Sequence, residues 1–265
     1  MKSITRRATV GARTRLWLGA ASLLILWEIA ARAGVFGLFG EFSSQLFPPA
    51  SQVVQTAAGQ IVDVDYWSDL GLTTARVLIS FFVASVVGVG IPLAGQAWRA
   101  LDDVSYYPSE FFRQLPAVAV MPLAIIALGI DSSMKIGVAV FGCVFPIMVG
   151  TREALRSVDP VLVETAKTYG WRGWRYILGV ALPAAATGVL SAMRIALAIS
   201  LILVVTTEML VGGDGLGGRL VLHERAFETV ALYANIMLLG ILGTVLSQAL
   251  GWGGRVALYW REDLA

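Results

Sequence analysis

Six runs of apolar residues, at about 16–33, 73–97, 115–130, 134–150, 185–210 and 229–252, constrain this chain more than any other feature. A helix needs roughly 20 such residues to cross the hydrocarbon layer of a bilayer, and only the third and fourth runs are short for that. Composition points the same way. Hydrophobic residues make up 57% of the chain and charged ones 14%, against about 45–50% and about 25% in soluble domains. One core cannot hide that excess, so lipid is the expected solvent. Pro92, Pro122 and Pro146 fall inside the runs, as neighbouring helices permit. Small residues in "ASVVGVGIPLAG" and "LLGILGTVLSQALG" favour close helix approach. The expectation is an all-α integral membrane protein with about six transmembrane helices.

Basic residues set the orientation. The leader 1–15 carries Lys2, Arg6, Arg7, Arg13 and Arg15, and six spans then put 98–114, 151–184 and the tail 256–265 on the same, cytoplasmic side. The outer segment 34–72 is acidic (Glu41, Asp63, Asp65, Asp69), and "LFPPASQV" reads as an extended piece leading into a short surface helix. The chain is expected as a multi-pass membrane protein, both termini cytoplasmic, with a core over 73–255. A basic leader, an apolar run and "ARAG" also describe a cleaved signal, and "TRRA" a twin-arginine one. The run continues to about Ala33, long enough to span, so we read 16–33 as the first transmembrane helix.

Several chemistries are excluded. One cysteine, Cys143, and one histidine, His223, allow neither a disulfide within the chain nor a Cys/His metal cluster. Cys143 in "AVFGCVFPI" reads as a buried apolar thiol. A net charge of +2 gives no nucleic-acid footprint. No Gly-Lys pair exists for a phosphate loop, so hydrolysis of ATP by this chain is not expected. Gly213, Gly215 and Gly218 match G-x-G-x-x-G, but they follow an apolar span rather than a strand, so we read a turn that folds back between helices.

Ionisable groups in or near spans are costly in lipid and so mark candidate sites. They are Glu28, Arg194 and Glu208. Arg194, deepest in its run, either lines a pathway and attracts an anion or snorkels to a partner. Glu208, near the outer end, either gates or pairs with Arg219 or Arg225.

The longest interruption of apolar sequence is 151–184. Asp159-Pro160 is a helix start, with Asp as N-cap and Pro at the first helical position. Val161, Leu162, Thr165, Ala166 and Tyr169 then recur at helical spacing, and Gly170 can end the helix in the left-handed conformation. "WRGWRYILGVALP" returns toward the membrane with side chains suited to the headgroup layer. Such a long, punctuated loop is usually functional, and it reads as a docking knob.

At these residues the chain resembles the membrane subunits of binding-protein-dependent ABC importers. Those carry E-A-A-x-x-x-G and, after nine residues, I-x-L-P. Here stand Glu164-Thr165-Ala166, Gly170 and Val180-Ala181-Leu182-Pro183. The similarity covers most of 70–255, and "FFRQLPAVAVMPLAIIALGIDSSMK", "VFPIMVG", "LPAAATGVLSAMRIALA" and "TEMLVGGDGLG" resemble the nitrate, sulfonate and taurine subgroup. Gly150-Thr151 stands where that subgroup has Asn-Thr. The resemblance implies the type I importer permease arrangement, with the knob as coupling helix. Glu164, Thr165, Ala166, Lys167, Tyr169, Gly170, Leu182 and Pro183 are the implied ATPase-coupling residues. Thr165, Ala166 and Tyr169 would form the close-packing surface, and Glu164 either pairs with the ATPase or braces the knob. Implied partners are ATP-binding cassette ATPase subunits holding ATP and Mg, a second permease copy, a soluble outer binding protein touching 34–72 and 211–228, and membrane lipid. This chain would bind no cofactor itself. Arg194 and Glu208 are the pathway candidates, for a small and anionic solute.

Two other functions would leave different marks on the sequence. A self-sufficient secondary transporter or channel calls for inverted repeats or several charges at mid-membrane; no clear repeat is present. An intramembrane enzyme calls for a Ser/His or Asp/Asp pair or a metal site within the spans, and no such constellation stands out.

Overall fold

A computed structural model describes residue 19 and residues 22–35 and 46–259. The leader 1–15, residues 36–45 of the outer segment with Glu41, and the tail from 260 lie outside the described residues. In chain order the helices are α1 (22–32), α2 (Ala50–Val62), α3 (Val64–Ala97), α4 (Arg99–Phe112), a 3-10 turn (Ala117–Val120) leading into α5 (Met121–Leu128), α6 (Ser132–Arg156) and α7 (Pro160–Thr168). There follow α8 (Gly173–Val211), α9 (Leu216–Arg225) and α10 (Thr229–Ala257). The described residues contain no strand. Among the described residues four helices, α3, α6, α8 and α10, are long and apolar enough to cross a membrane, and α4 with 117–128, counted as one span, is a bent fifth. α3 begins at Val64, earlier than the predicted 73, so the end of the outer segment is already helical.

Two compact units are present. The first comprises residues up to Tyr66 with Leu220–Leu238, and the second Trp67–Arg219 with residues from Leu239 onward. In the first unit, Glu28 of α1 pairs with Arg32 at 2.5 Å. It also accepts from Ser51 N at 3.0 Å and Ser51 Oγ at 2.9 Å. A carboxylate at the start of α2 satisfies a donor that the helix leaves open and meets the positive end of its dipole. Trp27 packs on Tyr233, ring centroids 5.9 Å apart.

The second unit exposes many large apolar side chains and buries several charged ones. Ile79, Phe82, Val86, Ile126, Ile195, Ile202 and Val245 are exposed, while Arg76, Lys135, Arg152, Thr207 and Glu208 are buried. A protein in water shows the opposite, because exposed apolar surface is driven inward and buried charge must be paired. Lipid makes this distribution stable. The central contact is α6 on α8, which approach closely because small residues face each other. A Cβ on Gly150 would lie 2.5 Å from Ala192 Cβ, and one on Gly188 2.6 Å from Ala154 Cβ. An Asn at 150 would have no room, which accounts for the glycine in the Gly150-Thr151 pair.

The predicted third span, 115–130, and the predicted cytoplasmic segment 98–114 need correction. Together they form one span broken by 97°. Arg152, three-hundredths exposed, anchors the start of α4: it donates to Asp102 at 2.8 Å, Ser105 at 3.0 Å and Ser109 at 3.1 Å. Phe112 at the end of α4 stacks on Phe145, centroids 5.2 Å apart, near the middle of α6. Just beyond the break, Ala117 meets the same level, because a Cβ on Gly142 would lie 2.9 Å from Ala117 Cβ. α5 then reaches the Ser132 end, where Ser133 donates to Leu128 O at 3.2 Å. The break at 113–116 therefore sits halfway along α6. Pro116 causes it: it has no N–H to donate, and it disfavours a helical residue before it.

Candidate functional site

The knob between α6 and α8 is held at both ends. Asp159 Oδ1 accepts from Val161 N at 2.8 Å, and Pro160 follows at the first helical position. At the other end Gly170 has φ 77°; Gly170 N donates to Lys167 O and Trp171 N to Ala166 O, both at 2.9 Å. This paired closure is the Schellman arrangement, and the left-handed turn favours glycine at its centre. Beyond it, Arg175 lies over Trp171 at 5.0 Å, and Trp98 meets Trp174 edge-on at 6.4 Å. Ile177–Ala181 form a π turn directly before Pro183. The wider turn accommodates a proline that would otherwise clash one turn back, and α8 continues unbroken to Val211.

One side of α7 packs on its own bundle. Ala166 is buried, and Val163 and Leu182 pack against the cluster of Leu93, Leu155, Val158, Ile177 and Ala181. Ala166 thus belongs to the inner face, where its small side chain seats the helix, and not to an outward surface with Thr165 and Tyr169. The outward face carries Val161 (71% exposed), Leu162 (42%) and Tyr169 (79%). Val161 and Leu162 were seen in the helical pattern, but their outward placement was not. Glu164 and Lys167 pair with each other at 2.8 Å on the exposed side.

At the Ser132 end of α6 the structure gathers charges that the sequence scattered. Glu208, fully buried, binds Arg76 at 2.7 Å, and Arg76 also binds Asp214 Oδ1 at 2.8 Å. Lys135 reaches Asp214 at 3.1 Å. Thr73 Oγ1 donates to Glu208, and Gly217 N donates to it at 3.0 Å. Asp69 holds Gly215 N at 2.8 Å and pairs with Arg219. The sequence pointed to Arg219 or Arg225 as the partner of Glu208, and the structure pairs it with Arg76. Arg76 lies 132 residues away in sequence, and no local spacing could announce it. The Arg76 and Lys135 cations hold the Asp214 carboxyl below the usual carboxylate range, against a smaller opposing effect of burial. Its contribution to stability is therefore present above that range and is lost as pH falls through the lowered value. The glycine-rich stretch turns here, as read from the sequence, and packs back on the last turns of α8: a Cβ on Gly217 would lie 2.6 Å from Glu208 Cβ.

Arg194 is exposed on α8, and its side chain has no hydrogen bond or ion pair among the described residues. Its guanidinium lies against α10, 3.1 Å from where a Cβ on Gly251 would stand. It is not among the residues lining a cleft of the second unit. That cleft, about 660 Å³, lies between the break in the fifth span, α6 and α8, and is lined by Arg113, Gln114, Pro146, Glu153, Ser191 and Ile195, among others. Sequence reasoning missed Arg113 because it counted the residue as part of a cytoplasmic loop.

Residues 86–252, well over half the chain, match the family model described as binding-protein-dependent transport system inner membrane component. A permease protein of Escherichia coli (strain K12) named for aliphatic sulfonates transport is 26% identical over 94% of this chain and 92% of its own length. The taurine transport system permease protein of the same strain is 24% identical over 87% of this chain and 83% of its own. Among solved structures, the MetNI methionine ABC transporter in an inward-facing conformation superposes with a TM-score of 0.56 at 19% identity, covering 73% of this chain and 93% of that one. That likeness is one of fold.

Proposed function

This chain belongs to the family of binding-protein-dependent transport system inner membrane components, and on that premise we propose that it is the permease subunit of an ATP-driven importer whose ATPase is a separate chain. The observation that carries the coupling is α7: a helix capped at both ends, seated on the bundle by Ala166 and Val163, with Val161, Leu162 and Tyr169 turned outward. An ATPase surface with an apolar cleft fits that face. Glu164, Thr165, Lys167 and Gly170 shape it, and Leu182 and Pro183 join it to α8. ATP and Mg belong to the partner, whose closure supplies the difference in affinity that shifts a permease between two states. Each chain has one knob, so two copies engage two ATPases, and we take the second copy to be identical. Both termini face the cytoplasm of a prokaryotic cell, and an outer binding protein delivers the solute near 211–228.

The test is co-purification from native membranes in a mild detergent. The unaltered chain is expected to bring down an ATP-binding subunit and ATP hydrolysis. Leu162→Asp with Tyr169→Asp should lose both and keep its helical spectrum, since neither side chain supports the bundle. Glu164→Gln should leave stability within about 0.5 kcal/mol, because exposed pairs contribute little. An unaltered chain that emerges alone and inactive under several mild conditions would overturn the proposal.

The relatives named for sulfonates and taurine support a small anion of sulfonate, taurine or nitrate type as the solute. Glu208 and Arg194 then have separate roles. Glu208 ties the outer ends of α3 and α8 together through Arg76, whereas Arg194 offers an exposed positive charge in a span. Arg194→Gln is expected to slow uptake of such an anion about tenfold, the factor set by losing roughly 1.4 kcal/mol of attraction. Unchanged uptake and ATP turnover would remove Arg194 from the pathway.

A further inference from the structure

We infer that the break in the fifth span is where the solute's anionic group rests, held by Arg113 and Gln114, and that the cleft beside it takes a short apolar body. The inference rests on the transport reading above and adds to it the place where the solute binds.

The level of the break comes from contacts with α6. Phe112 on one side of it stacks on Phe145, and Ala117 on the other abuts Gly142. Both belong to the middle of a 25-residue helix. Arg113 and Gln114 are thus polar side chains halfway along a span, where an ionisable group is costly unless it serves a ligand or pairs. Arg113 does pair, with Glu110 at 2.8 Å, but its side chain stays 42% exposed and the pair is a local one. Such pairs are weak, and a guanidinium with five donors retains several for an incoming anion.

The rest of the cleft gives the ligand its shape. Pro146, Val149, Ala192 and Ile195 form an apolar wall, floored by Gly150 and Gly188. Glu153 lines the same cleft two turns beyond Pro146, about 10 Å along the helix. Its side chain has no ion pair or hydrogen bond among the described residues. A carboxylate there repels an anion from the Arg156 end and leaves the Arg113 end as its place. A positive group at the break, an apolar wall and a negative group beyond it fit a small organic anion such as a short alkanesulfonate.

The test uses Ile195→Cys, which places a thiol on the cleft wall. Cys143 is fully buried, so the parent chain serves as the blank. Membrane vesicles are treated with sulfonatoethyl or trimethylammonioethyl methanethiosulfonate. The anionic reagent is expected to react about tenfold faster than the cationic one, because the Arg113 cation attracts one reagent and repels the other. Arg113→Gln in the same background should abolish that preference, and butanesulfonate should protect the thiol only while Arg113 is present. A preference that survives Arg113→Gln, absent protection, or no reaction with either reagent overturns the inference. Co-purification of the ATPase with these variants separates the two readings. If the ATPase is retained but charge preference is absent, the cleft assignment alone fails. If preference and protection are found without an ATPase, the importer assignment fails.

Discussion

Arg76→Met is expected to lower the unfolding free energy by about 3–5 kcal/mol, because it leaves a buried carboxylate without its cation. Glu208 is fully buried, and Arg76 at 2.7 Å is its charged partner. Thr73 Oγ1 and Gly217 N also donate to it, but neither carries a charge. The single variant should lose its cooperative transition in a denaturant titration in mild detergent, or shift it strongly. Adding Glu208→Gln should restore at least half of the loss, since removing both charges takes away the desolvation penalty along with the attraction. A loss below about 1 kcal/mol for Arg76→Met would mean that water or lipid headgroups compensate Glu208, and the cluster would then not be what holds the loop at 212–219 on α8.

Gly150→Leu should be of similar consequence by a different route. Its first side-chain carbon would already lie 2.5 Å from Ala192 Cβ, inside contact distance, and three more carbons follow. α6 and α8 must separate or shear, and overpacking of this kind costs about 1–3 kcal/mol or more. The paired variant Gly150→Ala with Ala192→Gly should recover most of what Gly150→Ala alone loses, because the methyl group is only moved across the seam. Gly240→Ala is the control: nothing stands within 4 Å of the added carbon, so it should be neutral or stabilising by up to about 1 kcal/mol, the usual helical difference. Equal effects at 150 and 240, measured as melting temperatures, would show that the seam is looser than its geometry.

Much of the fold was legible in the chain because it depends on the solvent. An apolar run of span length has few alternatives in lipid, where every backbone group must be satisfied within the segment. The runs at 134–150, 185–210 and 229–252 therefore follow from composition and length, and the helices Ser132–Arg156, Gly173–Val211 and Thr229–Ala257 extend them into what read as loop. The knob was legible for a local reason. Asp159-Pro160 and Gly170 act on their own backbone neighbours, and the Asp159 cap and the closure at Gly170 need nothing from elsewhere in the chain.

Other features depended on distance across the fold. A 97° break in the fifth span is signalled by Pro116, yet its level halfway along α6 is set by Phe112 on Phe145 and Ala117 on Gly142. Arg113 consequently moved from a supposed loop to the wall of a cleft. Arg152 looked like one of several cytoplasmic charges, and packing buried it against Asp102, Ser105 and Ser109. Ala166 sat in a motif that suggested an outward surface, and the rotation of α7 on its bundle turned it inward. The sequence by itself determined the solvent, the helices and their caps, since those arise from interactions within a few residues. Only tertiary structure decided which charges meet and which faces remain free, because these are set by contacts between residues far apart in the chain, and no periodicity records them.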